Sequence, residues 1–483
     1  MGCPLRRCAI LAVVVAGISS DCRVVQADQP ARPNIVLMMA DDQGWGDVGY
    51  RGHKVLQTPH LDRMAAEGVR LDRFYAAAPV CSPTRGSMLT GRHPFRYGIF
   101  GANVGHVPPA EVTIAELLSR AGYRTGHFGK WHLGTLTTTV VESNRGGPRG
   151  AKNYSIPSQN GFQKWFSTEA KVPTWDPLLR PKGERSRTWW KPVSELRQSN
   201  FYGTNYWEDG ERVTADLRGD DSRIIMDRAV PFIKAAAKND QPFLAVIWFH
   251  APHLPVVTGK SYSDRYPTVD GYHQSYYGCL TAMDEQVGRL RKALDDAGVR
   301  EETLVWYCAD NGPEGKATAP GTAAGLRGRK RSLYEGGIRV PGIVCWPGEF
   351  KAGSRSVVPC STSDILPTVA GLLGIDLEVE LDGLDISGVL AGVTRQRTTP
   401  IGFETRGQVA WIDNDLKLIA RVEGPPSSVG ELLDTELYNL RRDTGEKVNL
   451  SEQLAEQAIA MTKALQQWRH SVRKSLAIYS ANN

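Results

Sequence analysis

Three uninterrupted apolar runs, each ending on polar residues, restrict most tightly what this chain can become. Asn34-Ile-Val-Leu-Met-Met-Ala40 leads into Asp41-Asp42, Phe243–Phe249 into His250 and His253, and Thr303–Cys308 into Asp310-Asn311. A strand that is apolar on both faces must be covered on both, which is the condition of a central strand in a parallel sheet. Helix-like stretches at Thr113–Ala121, Ser222–Ala237 and Met283–Ala297 lie between the runs. The alternation predicts an α/β fold with a large, mostly parallel central sheet flanked by helices. Sites in such sheets form beyond the carboxyl ends of the strands, where all three runs deliver polar side chains.

From about Gly374 the pattern changes. Short strand-like pieces (Val409–Ile412, Leu416–Ala420, Leu437–Leu440) alternate with turns, and a helical stretch from Glu452 to about Val472 closes the 483-residue chain. We therefore divide the chain into a catalytic α/β domain, 28–379, and a smaller C-terminal α+β subdomain, 380–483. Residues 135–220 read as an irregular insertion containing Trp165, Trp175, Trp189, Trp190 and Trp207. Exposed indoles there would stack on sugar rings, and plain packing of the loop is the equal alternative.

At the amino end, Arg6 and Arg7 precede an apolar run, Cys8–Ile18, that is too short to span a bilayer, with small or polar residues up to Ala27. This predicts a signal peptide, 1–27, and a periplasmic or secreted protein. No later run predicts a membrane span. The formal charge of +6 is spread without a Lys/Arg stripe, so nucleic acid is not an expected partner.

Five of the eight cysteines lie beyond the leader: Cys81, Cys279, Cys308, Cys345 and Cys360. An odd number in an exported protein leaves at least one unpaired or modified. Cys81 opens Cys81-Ser82-Pro83-Thr84-Arg85-Gly86, followed by Thr90-Gly91-Arg92. The Cys-to-Arg spacing excludes the Cys-dependent phosphatase loop, which needs six residues and here meets Ser87. Cys-x-Pro-x-Arg and its extension resemble the signature of the type I sulfatases, a formylglycine-dependent family of the alkaline-phosphatase-like superfamily. Gly129-Lys130-Trp131-His132-Leu133-Gly134 resembles that family's second signature. A phosphate-binding loop is excluded there, because Lys130 precedes Trp and no Gly stands five residues before Gly129. The resemblance extends over roughly residues 33–370 and more weakly beyond.

What the resemblance implies is specific. Cys81 would be oxidised to formylglycine by a formylglycine-generating enzyme, which accounts for the odd cysteine. Asp41, Asp42, Asp310 and Asn311, with the modified Cys81, would hold Ca2+. Arg85, Lys130, His132, His253 and Lys330 would face the sulfate, with His250 a secondary candidate. The hydrate of the formylglycine would attack sulfur with Asp310 as proton acceptor, and Lys330 or His253 would protonate the departing alcohol. His132 would then take the second hydroxyl's proton, so that sulfate leaves and the aldehyde returns. The residue types suit this chemistry independently: three Asp and one Asn are hard oxygen ligands, fitting calcium or magnesium before zinc. Cations at Arg85, Lys130 and Lys330 suit charge developing on sulfate oxygens. The expected activity is hydrolysis of sulfate esters, of a small molecule or more especially a sulfated saccharide. The alternatives are a phosphonate or phosphate ester hydrolase of the same superfamily and an inactive protein that binds sulfated glycans.

Overall fold

Asn34–Ala40 forms β1, buried along its whole length because it stands inside a ten-stranded sheet. The computed structural model describes residues 1–2, 32–142, 144–181 and 201–481; residues 3–27 of the expected signal peptide, and Trp189 and Trp190, lie outside the described residues. The strand order is β12 (Ser354–Ser356), β2 (Val69–Leu71), β11 (Gly342–Cys345), β9 (Thr303–Ala309), β1, β8 (Phe243–Trp248), β4 (Arg124–Lys130), β5 (Lys164–Thr168), β6 (Tyr206–Glu208) and β7 (Glu211–Val213). The five central strands, β9 to β5, run parallel, and β11, β6 and β7 extend them antiparallel. The α/β architecture with a mostly parallel centre is thus borne out, and the three apolar runs are its middle strands.

Helix Asp221–Lys238 covers β4 and β8 and packs on helix Gly271–Asp296. It begins where the Asp220 carboxylate accepts from the Arg223 amide, and it buries Ile224, Ile225, Phe232 and Ile233 at helical spacing. The insertion departs from expectation. Within it, Lys164–Thr168 pairs in parallel with β4, and β6 and β7 continue the sheet, so the segment widens the sheet instead of only looping over it. Trp165 and Trp207 are accordingly packed inside, at 2% and 7% exposure, and Trp175 is half-buried beside Tyr262. The packing reading of these three indoles holds.

A second, four-stranded antiparallel sheet follows: β14 (Ile401–Thr405), β15 (Gln408–Asp413), β16 (Leu416–Val422) and β17 (Leu432–Asn439). It has no solvent face. Leu418 and Ala420 pack with Met461 and Leu465 of the closing helix Ala455–Ala481, while the alternate residue Ile419 packs with Tyr75 and Leu333. In a three-stranded sheet of β10 (Arg339–Val340), β3 (Phe74–Tyr75) and β13 (Cys360–Ser361), Phe74 packs against Trp306 of the large sheet and Tyr75 against Phe403 of the small one. Buried Lys417 of β16 bridges Glu335 at 3.0 Å and Glu446 at 2.8 Å, tying the small sheet to the segment that follows Lys330.

Two carboxylates hold the closing helix: Glu404, which pairs with Arg469 and Arg473, and Asp382, which binds Trp468. Asp382 accepts two bonds of 2.7 Å from Arg96, one of 2.6 Å from the His93 amide and one of 2.9 Å from Trp468 Nε1. Burial alone would raise its pKa, but Arg96 outweighs it and holds the carboxyl down at about 2. A depressed folded-state value stabilises the fold above the unfolded value near 4, and that contribution is lost as pH falls toward 2. Asp382→Asn is therefore expected to lower unfolding free energy by about 2–3 kcal/mol at pH 7, with the deficit shrinking between pH 4 and 2. Urea unfolding of both proteins across that range checks it, and a deficit that widens toward acid would contradict the assignment.

Candidate active site

The register of two parallel strands assembles the acids. Ala40 of β1 lies opposite Ala309 of β9, so Asp41-Asp42 and Asp310-Asn311 emerge side by side. The Asp310 amide donates to Ala40 O at 3.1 Å, and the Asp42 amide donates to Asp310 Oδ1 at 3.0 Å. Asp42 takes a positive φ of 68°, a conformation Asp tolerates better than most residues, and this turns its carboxylate toward Lys330 and His253.

Cys81 is the first residue of helix Cys81–Thr90, with Pro83 in the first turn, where a missing N–H costs little. The four-residue spacing puts Cys81 and Arg85 on one face of that helix. Both are buried, the thiol 3.4 Å from Asp41 Oδ1. Arg85 donates to Asp310 Oδ2 at 2.8 Å and to Lys130 O at 2.9 Å, and lies 3.4 Å from Asp41 Oδ2. Its Nε is buried without a hydrogen-bond partner. The helix N-terminus adds the positive end of its dipole beside Cys81.

Lys130 ends β4 and reaches Asp41 Oδ2 at 2.5 Å; Lys330 reaches Asp42 Oδ1 at 2.5 Å. Gly129, just before Lys130, has φ 108°, and a Cβ there would stand 1.9 Å from Trp248 O, so only glycine lets β4 and β8 close up here. Three carboxylates and three cations thus share one dry cluster. Burial would raise Asp41, but the charges of Lys130, His253, Arg85 and Lys330 outweigh it and hold it well below the usual carboxylate range. For Asp310 burial wins, helped by the charge of Asp41, and lifts it to about 7. Burial, then Asp310 and Asp41, pushes the Cys81 thiol up, so this environment does not favour a plain thiolate nucleophile.

The histidines separate. His132, at φ 58°, bonds Asn103 Oδ1 through Nε2 at 2.7 Å, and its Nδ1 is buried with no partner. The acceptor at Nε2 places the proton there and leaves Nδ1 free to take one. His253 lies between the Ala251–Pro252 and Leu254–Pro255 peptide bonds, both cis, with Nδ1 bonded to Leu254 O at 2.7 Å and Nε2 3.6 Å from Asp42 Oδ2. Burial pulls it down to about 3 against the opposing charges of Asp42 and Asp41. His250 points elsewhere: its two nitrogens are bonded to Thr168 Oγ1 and Asp221 Oδ2, each at 2.8 Å, in the core.

Asp41, Asp42, Cys81 and His253 each bring a ligand atom within 4.8 Å of the others. Two buried acceptors, Asp42 Oδ2 and Asn311 Oδ1, have no hydrogen-bond partner. Oxygen-rich, buried and with acceptors to spare, the cluster fits a hard divalent cation such as calcium. Asp310 has both oxygens engaged, by the Asp42 amide and Arg85. Cys81, Lys130, His132, His253 and Lys330 line a pocket of about 650 Å³. Its walls include residues no motif pointed to: Asn103, Lys171, Tyr202, Tyr272, Glu314 and Arg331. Tyr272 stands in the first turn of the helix Gly271–Asp296 and the others on loops, where no periodicity marks them.

Comparison with known proteins bears on what this pocket does. A sulfatase family model matches residues 33–375. The chain is 33% identical over 468 residues to arylsulfatase A of Homo sapiens, covering 90% of this chain and 86% of that one. It is 32% identical over 385 residues to N-acetylgalactosamine-6-sulfatase of Canis lupus familiaris, covering 76% and 67%. Among solved structures it is similar to Ps i-CgsB in complex with k-i-k-neocarrahexaose, with a TM-score of 0.74, 27% identity, and 91% and 93% of the two chains covered.

Proposed function

Because the chain belongs to the sulfatase family and is a sulfuric ester hydrolase, we propose that it releases sulfate from a sulfated saccharide, using a formylglycine made from Cys81 and one bound calcium ion. The observation that carries this reading is the placement of Cys81, at a buried helix N-terminus, 3.4 Å from Asp41 on the floor of a pocket whose cations converge on it. The saccharide is favoured by the polar walls and by the names of two relatives, which act on N-acetylgalactosamine 6-sulfate or hold a neocarrahexaose.

Oxidised Cys81 would supply a hydrate hydroxyl as nucleophile, and calcium held by Asp41, Asp42, Asp310 and Asn311 would polarise the sulfate. The remaining work falls to side chains already in place. Arg85 and Lys130 stabilise negative charge on the non-bridging oxygens. Asp310, beside the Arg85 guanidinium, is the carboxylate we assign to accept the proton of the attacking hydroxyl. Of the two groups that could meet the departing oxygen, Lys330 is the better donor. Asp42 and the neighbouring acids keep its ammonium charged despite burial, whereas His253 is held neutral, its one ring proton on Nδ1 and donated to Leu254 O. His132, with Nδ1 unpartnered, is placed to take the last proton before sulfate leaves.

We further read the protein as exported, from Arg6, Arg7 and the short apolar run after them, with a formylglycine-generating enzyme as its maturation partner. No helix among the described residues is long and apolar enough to cross a membrane. Cys81, Cys279, Cys308, Cys345 and Cys360 are all buried, free thiols, so none of the five is committed to a disulfide.

The test is to co-express the chain with a formylglycine-generating enzyme, confirm the aldehyde at position 81 by mass spectrometry, and incubate it with sulfated sugars, aryl sulfates and phosphonate monoesters. Sulfate release from sugars at least tenfold faster than turnover of the other two classes is the expected result. Faster turnover of phosphonates would replace this reading with the phosphonate one.

A further inference from the structure

The pocket holds one more cation than the scissile sulfate and the metal cluster use. Lys130 and Lys330 each sit 2.5 Å from an aspartate, and Arg331 pairs with Glu314 through bonds of 2.7 and 2.8 Å. Lys171, also on the pocket wall, is half-buried and has no carboxylate within ion-pair distance among the described residues. Burial, then the charges of Lys130 and Lys330, hold it below the ordinary lysine value, against the opposing charges of Asp42 and Asp41. A partly desolvated ammonium with no ion-pair partner of its own is stabilised when an anion joins it.

The sheet order says where that anion belongs. Glu314 follows β9 and Lys171 follows β5, at opposite ends of the β9-β1-β8-β4-β5 row, with Asp41 and Lys130 between them. Glu314, on its own side, already engages Arg331 through two hydrogen bonds and lies 3.6 Å from Lys330, so no cation there is left for a second negative group. Lys171 receives one on the other.

We propose that Lys171 is a specificity-determining residue that binds a second anionic group on the substrate, so that the preferred substrate is a sulfated saccharide carrying another sulfate or a carboxylate. This rests on the sulfatase reading above and narrows it. A pocket of about 650 Å³ has room for a ligand well beyond a single sulfate.

Steady-state kinetics of wild type, Lys171→Ala and Lys171→Arg would be measured on three sugars: one monosulfated and otherwise neutral, one disulfated, and one carrying a sulfate and a carboxylate. Lys171→Ala is expected to raise KM on the preferred dianionic sugar by about 10- to 100-fold, the worth of a charged hydrogen bond. The monosulfated sugar should be little changed, and Lys171→Arg should restore most of the loss. The arm that responds identifies sulfate or carboxylate as the second group. Equal losses on all three sugars would overturn the proposal, because Lys171 would then serve the scissile sulfate or the fold; so would no loss on either dianionic sugar. Retained turnover of the monosulfated sugar shows that Lys171→Ala is folded. Failure of the aldehyde-bearing wild type on every sugar would sink the sulfated-saccharide reading itself, a result separable from these.

Discussion

Cys81→Ala, otherwise folded as the wild type, is expected to lose sulfate release by a factor of about 10⁴ or more. The size follows from what is removed. Enzymes that lose the nucleophile of a cooperating set fall nearly to the level set by binding and electrostatics alone. The surrounding groups survive the substitution: Arg85 keeps its bonds to Asp310 and Lys130 O, and the thiol's own contact to Asp41 is a weak one at 3.4 Å. Thermal unfolding should therefore change little, since a methyl replaces a thiol on a buried but small side chain. Ion chromatography of free sulfate, with the variant and the aldehyde-bearing wild type at equal concentration, measures the ratio. A loss below about tenfold would mean that water or another residue attacks sulfur, and the formylglycine reading would have to be given up.

The same residue shows what could be read from the sequence and what could not. Cys81 and Arg85 were legible because a helical spacing of four fixes their relation, and β1 and β9 were legible because their unbroken apolar runs are the pattern of strands covered on both faces. The meeting of Asp41-Asp42 with Asp310-Asn311 was legible only in outline. Two apolar runs predict a shared sheet, but the register of Ala40 on Ala309 that sets the acids side by side is a tertiary fact. β4 was missed as a strand because Arg124, His127, Gly126 and Gly129 break its apolar run. It is buried all the same, since His127 Nδ1 bonds Ser167 Oγ at 2.7 Å, its ring packs against Trp131 and Trp248, and the glycines allow close packing. β5 was hidden inside a segment whose turn residues suggested a loop, and with it went any hint of Lys171. The closing helix begins three residues after the expected start and runs nine beyond the expected end, because its far turns are held by Arg96 and Arg473, which no local pattern displays.

Removal of divalent metal should lower activity as severely as any single substitution outside Cys81, and it should leave a mark on stability too. Asp42 Oδ2 and Asn311 Oδ1 are buried acceptors without partners, and each forgoes about 1–3 kcal/mol while it stays so. An ion that binds the folded chain at 100 times its dissociation constant adds about 2.7 kcal/mol of stability, because the unfolded chain does not assemble these ligands. Chelation is therefore expected to cut sulfate release by at least about 100-fold and to lower the unfolding temperature by a few degrees, with calcium restoring both. Asp42→Ala should abolish the calcium-dependent rise in unfolding temperature, since it deletes the one carboxylate oxygen left open and frees Lys330 from its 2.5 Å partner. Scanning calorimetry with chelator, calcium and magnesium reads this without any assay of turnover. A calcium response in Asp42→Ala equal to that of the wild type would place the ion elsewhere. No response in the wild type would mean that Lys130 and Lys330 already satisfy the acids, and that the three buried cations alone carry the charge of the sulfate.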